Sequence, residues 1–265
     1  QRIMAAVDNF AQRGKYDRAI VLLDRFVPLY TPTQELALRG QTLRDWGERQ
    51  VRDAQGDSKP DAAEQGIGLR RLRGTGLAFG RLATLPHATR MYPDDLWESA
   101  QCYFRGQSYS SAARILDLYL KTEPENRNPR ALLMLGQANL ALGKIDQSIA
   151  AFEECVELFP SDNATYQARI DCARAYLYQD QVAEAERLLR FNLTESALKP
   201  VSPEWKDSLF ALGRLMFDQD RHEDAIGTLE EAVERYPNDR QTLQARYLIG
   251  EAYRRWAVEP LDRLR

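Results

Sequence analysis

Apolar residues recur along this chain at spacings of three and four, in short blocks separated by polar turns. The clearest case runs from residue 129 to 160. Leu132, Leu135, Gly136 and Asn139 fall at i, i+3, i+4 and i+7, one face of a helix. Gly143 breaks that helix. Ile145, Ser148, Ile149, Phe152, Cys155 and Val156 then mark the inner face of a second helix, which Pro160 stops. The pattern predicts a helix–turn–helix hairpin. The apolar runs elsewhere also follow helical spacing and β-branched residues are sparse, so the chain is expected to be all-α.

The hairpin recurs. Units are read at about 1–32, 33–92, 93–126, 129–162, 166–199 and 206–239, with a first helix alone over 243–265. Each first helix carries one small residue at a matching place: Val7, Gly40, Ala100, Gly136, Ala173, Gly213 and Gly250. The step from Gly40 to Ala100 is the long one, a repeat with about 26 residues added. Its first helix is expected to outrun the others before a break at Gly56–Pro60, and its second to span about Asp61 to Thr84. Leu38, Gly40, Leu43 and Trp46 are echoed by Leu248, Gly250, Tyr253 and Trp256, which predicts that the last helix opens another long unit.

With Gly136 and Ser148 small where two helices must touch, these hairpins resemble the tetratricopeptide repeat, a 34-residue helix–turn–helix unit. The resemblance covers about four-fifths of the chain and implies one right-handed α-solenoid over 1–265. It also implies a non-catalytic scaffold that holds a partner peptide or domain in a concave groove. In that family positions 2, 5, 9, 12 and 13 of each unit face the groove. With the small residue at position 8, position 5 holds Trp97, Leu133, Ile170, Phe210 and Tyr247, and position 12 holds Phe104, Leu140, Leu177 and Phe217, then Arg254. Position 9 holds Gln101, Gln137, Arg174, Arg214 and Glu251, all long and polar. Two readings stay open: the apolar stripe packs neighbouring first helices together, or it floors a groove whose Gln and Arg rows bond a partner's backbone or acidic groups. Position 2 (Asp94, Arg130, Gln167, Asp207, Gln244) does not reproduce the family's clamp for a C-terminal carboxylate. Endings such as Tyr236-Pro237 resemble repeats of bacterial cell-envelope proteins, among them outer-membrane assembly lipoproteins and Tol–Pal coordinators, and this implies an envelope or periplasmic location. Self-assembly through repeat ends, and a regulatory or anchoring module of a larger protein, are the alternative functions.

Composition narrows the chemistry. The chain has 265 residues, 44% apolar and 28% charged, with net charge −3, which favours protein partners over nucleic acid. No apolar run approaches a membrane span, so membrane association is expected only through segments outside this chain. A start at Gln1 reads as an excerpt of a longer protein. Cys102, Cys155 and Cys172 lack metal-ligand spacing and are expected to be buried free thiols. His87 and His222 join no catalytic or metal motif, and no cofactor or small-molecule substrate is expected. One stretch departs from the repeat: residues 66–80 hold five glycines, and residues 65–93 hold five arginines and no carboxylate. That window is +5 and leaves −8 on the rest. The glycines are read as sites of close helix approach, or Arg70, Arg71, Arg73 and Arg81 as an anion- or partner-binding patch.

Overall fold

The computed structural model describes residues 2–56, 61–85, 92–122 and 128–262, with side chains left out at 56 and 258–262. His87, Arg90, Pro124 and the break at 57–60 lie outside the described residues. These hold thirteen α-helices: α1 Arg2–Gln12, α2 Tyr16–Phe26, α3 Pro32–Gly56, α4 Ala62–Ala83, α5 Tyr92–Arg105, α6 Tyr109–Thr122, α7 Pro129–Ala141, α8 Ile145–Leu158, α9 Asn163–Tyr178, α10 Val182–Thr194, α11 Pro203–Asp218, α12 His222–Arg235 and α13 Gln241–Asp262. A single 3₁₀ turn, Val27–Leu29, follows α2. The described residues contain no strand, so the fold is all-α. Two compact units divide the chain, Gln1–Lys144 and Ile145–Arg265.

Local chemistry sets the helix ends. Asp61, Asn128 and Asp162 cap α4, α7 and α9 by accepting hydrogen bonds from backbone N–H groups of the first turn. Five first helices close with one shared turn, whose left-handed residue is Gly14, Gln107, Gly143, Asp180 or Asp220, with φ between +54° and +71°. The next N–H reaches back five residues, as from Lys144 to the Asn139 carbonyl at 2.9 Å and from Gln181 to the Tyr176 carbonyl at 3.0 Å. This is the Schellman pattern that satisfies the last helical carbonyls. Each left-handed residue stands seven places after the small residue of its helix.

The same register sets the core. Ala19, Ala112, Ser148, Ala185 and Ala225, twelve places after the small residue, are all fully buried. Leu23, Leu116, Phe152, Leu189 and Leu229 follow four places later and are at most 2% exposed. The small residue of α11 has a plain cause, because a Cβ on Gly213 would lie 2.6 Å from the Leu229 side chain of α12.

The long hairpin of the first unit departs for an equally physical reason. Seven places after Gly40 comes Gly47, where the other units turn, yet α3 continues to Gly56. Gly47 packs there against the backbone of α4, a Cβ lying 3.0 Å from the Gly68 carbonyl oxygen. Gly40 sits under the Phe79 ring, and a Cβ on Gly68 or Gly76 would lie 2.8 Å from Val51 or the Tyr103 ring, respectively. The Ser99 hydroxyl donates to the Gly76 carbonyl (2.7 Å), drawing α5 onto α4. The added residues therefore lengthen a pair of helices, and Gly47 and Gly68 let the α3 and α4 backbones approach closely. Gly66 has open space and Gly74 only an ordinary contact with Leu43.

Candidate functional site

Three first helices of the second unit, α9, α11 and α13, line a groove of about 560 Å³. Its middle is apolar: Ile170 and Ala173 from α9, Phe210 and Ala211 from α11, Ala245 and Leu248 from α13, above Leu189, Leu215 and Leu229. Ile170 and Phe210 are 6% and 4% exposed, so they offer edges and small patches, while Leu177 at the rim is 41% exposed.

Polar groups frame this floor. Arg174 donates to the buried Asp171 (3.0 Å), which also accepts from Gln167 (3.2 Å), so the guanidinium is held from behind. Arg214 has a looser hold, 3.9 Å from Asp218. Asp207 accepts from the Gln241 side chain at 2.8 Å. The third wall is fixed by Asp239, which accepts from the Gln241 N–H (2.9 Å) and pairs with Lys206 of α11 (2.6 Å). Lys206 and that N–H hold the Asp239 carboxyl below the usual carboxylate range. Trp205 and Phe210 pack around Tyr236, whose hydroxyl donates to the Pro200 carbonyl, so the Tyr-Pro ending has a packing role.

Of the residues the register singled out, Ile170, Arg174, Leu177, Phe210 and Arg214 come together here. Phe217 does not line the groove: it is 7% exposed, with the Arg255 guanidinium 4.8 Å from its ring centroid. Tyr247 is 70% exposed on the outward side of α13. In the first unit Trp97 packs against Tyr119 (5.5 Å between centroids) and Phe104 against Tyr109 (5.5 Å), both on the core of α5 and α6. Gln101, Leu133, Gln137 and Leu140 are half-buried. Tyr178 and Asp218 also line the groove, at position 13, where the repeat register could have found them; Arg240 and Gln241 precede the periodic part of α13 and had no such signal.

The arginines of α4 do not converge. Arg71 lies over the Trp46 indole, 3.3 Å from its centroid, and burial lowers its pKa. Arg73 donates to the Gly106 carbonyl (2.6 Å). Arg70 and Arg81 are exposed on one side of the helix, eleven residues and so about 16 Å apart. The three cysteines are buried thiols not joined in a disulfide, and burial pushes the Cys102 and Cys172 thiols up to about 12 and raises Cys155. Such thiols stay protonated and unreactive. His222, 5% exposed, opens α12 as a packed residue. No helix among the described residues is long and apolar enough to cross a membrane.

Models of the tetratricopeptide repeat match residues 129–162, and 171–240 with 210–255. The chain carries tetratricopeptide repeats. Its fold is similar to that of the nearly identical TPR-like repeats of a Podosopora anserina putative kinesin light chain, at 16% identity over 79% of this chain and 99% of that one, with a TM-score of 0.55. YrrB, described as a TPR protein with an unusual peptide-binding site, aligns at 16% identity over 76% and 97%, with a TM-score of 0.52. MamA aligns at 20% identity over 62% and 82%, with a TM-score of 0.51. At these identities the likeness is one of fold. Curated protein sequences contain no match. Tetratricopeptide repeats generally act as protein-interaction scaffolds, and the repeat fold is typically non-catalytic.

Proposed function

We propose that this protein is a non-catalytic scaffold that binds a segment of a partner protein in the α9/α11/α13 groove. The observation that carries the reading is the coincidence of register and cavity. Positions 2, 5 and 9 of α9 and α11, chosen by repeat spacing, all line one groove with an apolar floor and polar walls. Anchoring one or two apolar side chains there contributes roughly 1.5–3 kcal/mol each, enough with a few hydrogen bonds for micromolar affinity. Ala211→Trp tests the reading, because it fills the groove without removing a core side chain. In affinity capture from the source organism's lysate, the wild-type chain should retain a partner that the Ala211→Trp chain loses. Undiminished capture by a folded Ala211→Trp chain refutes it. We extend the reading to an envelope location on the Tyr236-Pro237 ending alone; recovery of the protein in the cytosolic fraction removes that extension.

The outward face of α13 supports a second reading, self-association. Leu243 and Tyr247 are 81% and 70% exposed on one side of that helix, and Gly250 on the same side has open space above it. A sedimentation-velocity series should then show concentration-dependent assembly that Leu243→Ser with Tyr247→Ser abolishes. A monomer at all concentrations excludes it.

A further inference from the structure

Resting on the groove reading above, we propose that the α9/α11/α13 groove selects an extended acidic segment, in which an apolar residue is followed two places later by Asp or Glu. The argument is one of charge and spacing. Although the whole chain carries −3, the groove wall presents Arg174 and Arg214 at the same register position of two adjacent first helices, with Arg240 at the rim. The side chains of Arg174 and Arg214 are 57% and 61% exposed. The nearby carboxylates compete weakly for an incoming ligand. Asp171 is 5% exposed and faces inward, Asp207 is bonded to Gln241, and Asp218 stands 3.9 Å from Arg214, beyond hydrogen-bond distance. A ligand carboxylate can form the shorter, paired hydrogen bonds that a guanidinium fork favours.

The spacing follows from two repeats. Phe210 and Arg214 are one helical turn apart, about 6 Å along α11, as Ile170 and Arg174 are along α9. In an extended chain, residues i and i+2 point to the same side about 7 Å apart. A strand lying between α9 and α11 thus sets its apolar side chain on Ile170 and Phe210 and its carboxylate between the two guanidiniums.

Fluorescence anisotropy with the whole chain and four labelled peptides tests this: an otherwise Gly/Ser sequence with central Leu-Ser-Glu, and versions with Gln or Lys for the Glu, or Ala for the Leu. The Leu-Ser-Glu peptide should bind about tenfold tighter than the Gln version, the effect of one charged hydrogen-bonded contact. It should weaken with salt. Arg214→Glu should invert the preference towards the Lys version, a change that loss of folding cannot produce. Equal affinity for the Glu, Gln and Lys peptides, lost in Ala211→Trp, overturns acid selection and leaves the groove reading standing. Binding that Ala211→Trp does not weaken, or no binding to any peptide up to millimolar concentration, also overturns it, and the capture experiment then judges the groove by itself.

Discussion

Replacing Arg169 with methionine should stabilise the second unit. Arg169 occupies the register position, four places before the small residue, that Leu96, Leu132 and Leu209 hold in other hairpins, and it is 3% exposed. Its guanidinium reaches the Pro160 carbonyl at 3.3 Å and the Asn192 side-chain oxygen at 3.5 Å, both at the long limit of hydrogen bonding. It lies 4.4 Å from the Phe191 ring centroid and 5.6 Å from that of Tyr166. Burial lowers its pKa from the ordinary arginine value, the mark of a cation short of solvation. Desolvating such an ion costs several kcal/mol. The ring contacts return about 1–2 kcal/mol and the two long hydrogen bonds about 1 kcal/mol together. Methionine keeps the length and places sulfur near Phe191. It leaves one Asn192 acceptor without its donor, about 1 kcal/mol, while the Asn192 amide still donates to the Tyr166 carbonyl and the Ser208 hydroxyl at 3.0 Å each. The net is a gain of about 1–2 kcal/mol, a rise of a few degrees in Tm. Urea unfolding followed by circular dichroism should show a higher midpoint with an unchanged slope. Arg169→Ala should fall below wild type, because it leaves a cavity. A loss of 1 kcal/mol or more in Arg169→Met would refute the reasoning and make the guanidinium a net contributor.

Two further outcomes follow from the backbone. Gln107→Gly and Asp180→Gly should each stabilise by about 0.5–1 kcal/mol, because the left-handed conformation costs a side chain about 1–2 kcal/mol and glycine gives part of this back as unfolded-state entropy; Gly143→Ala should lose a similar amount, all read by the same urea unfolding. Gly68→Ala should destabilise by about 1–2 kcal/mol, since its Cβ would meet Val51 at 2.8 Å and the Gly47 carbonyl at 3.1 Å, whereas Gly66→Ala, in open space two residues away, should gain up to about 1 kcal/mol of helix propensity. Equal effects at 66 and 68 would contradict the packing assigned to that stretch.

The helices were legible because a 3.6-residue apolar period survives in every unit, and capping residues such as Asp61 and Asn128 mark starts that a sequence can show. The turns were legible only in part. Gly14 and Gly143 announce a left-handed residue, but Gln107, Asp180 and Asp220 are identified by register, since the following helix imposes a conformation their side chains resist. Gly47 shows the converse: it sits at the turn register and stays helical because the Gly68 backbone lies against it, a contact made across the hairpin. The groove divides in the same way. Ile170, Arg174, Leu177, Phe210 and Arg214 follow from spacing, whereas Phe217 has the same spacing and is covered by Arg255 of α13. Counting charge treats the arginines of residues 65–93 alike; the fold spends Arg71 on the Trp46 ring and Arg73 on the Gly106 carbonyl.

Placing a photo-reactive benzoylphenylalanine at Tyr178, an exposed aromatic that lines the groove, and separately at Gly227, on an open face of α12, tests the central claim most directly. After irradiation in the source organism's lysate, adducts are separated and sequenced by mass spectrometry. The account predicts a partner adduct from position 178 and none from position 227. An adduct from position 227 with none from position 178 would contradict it.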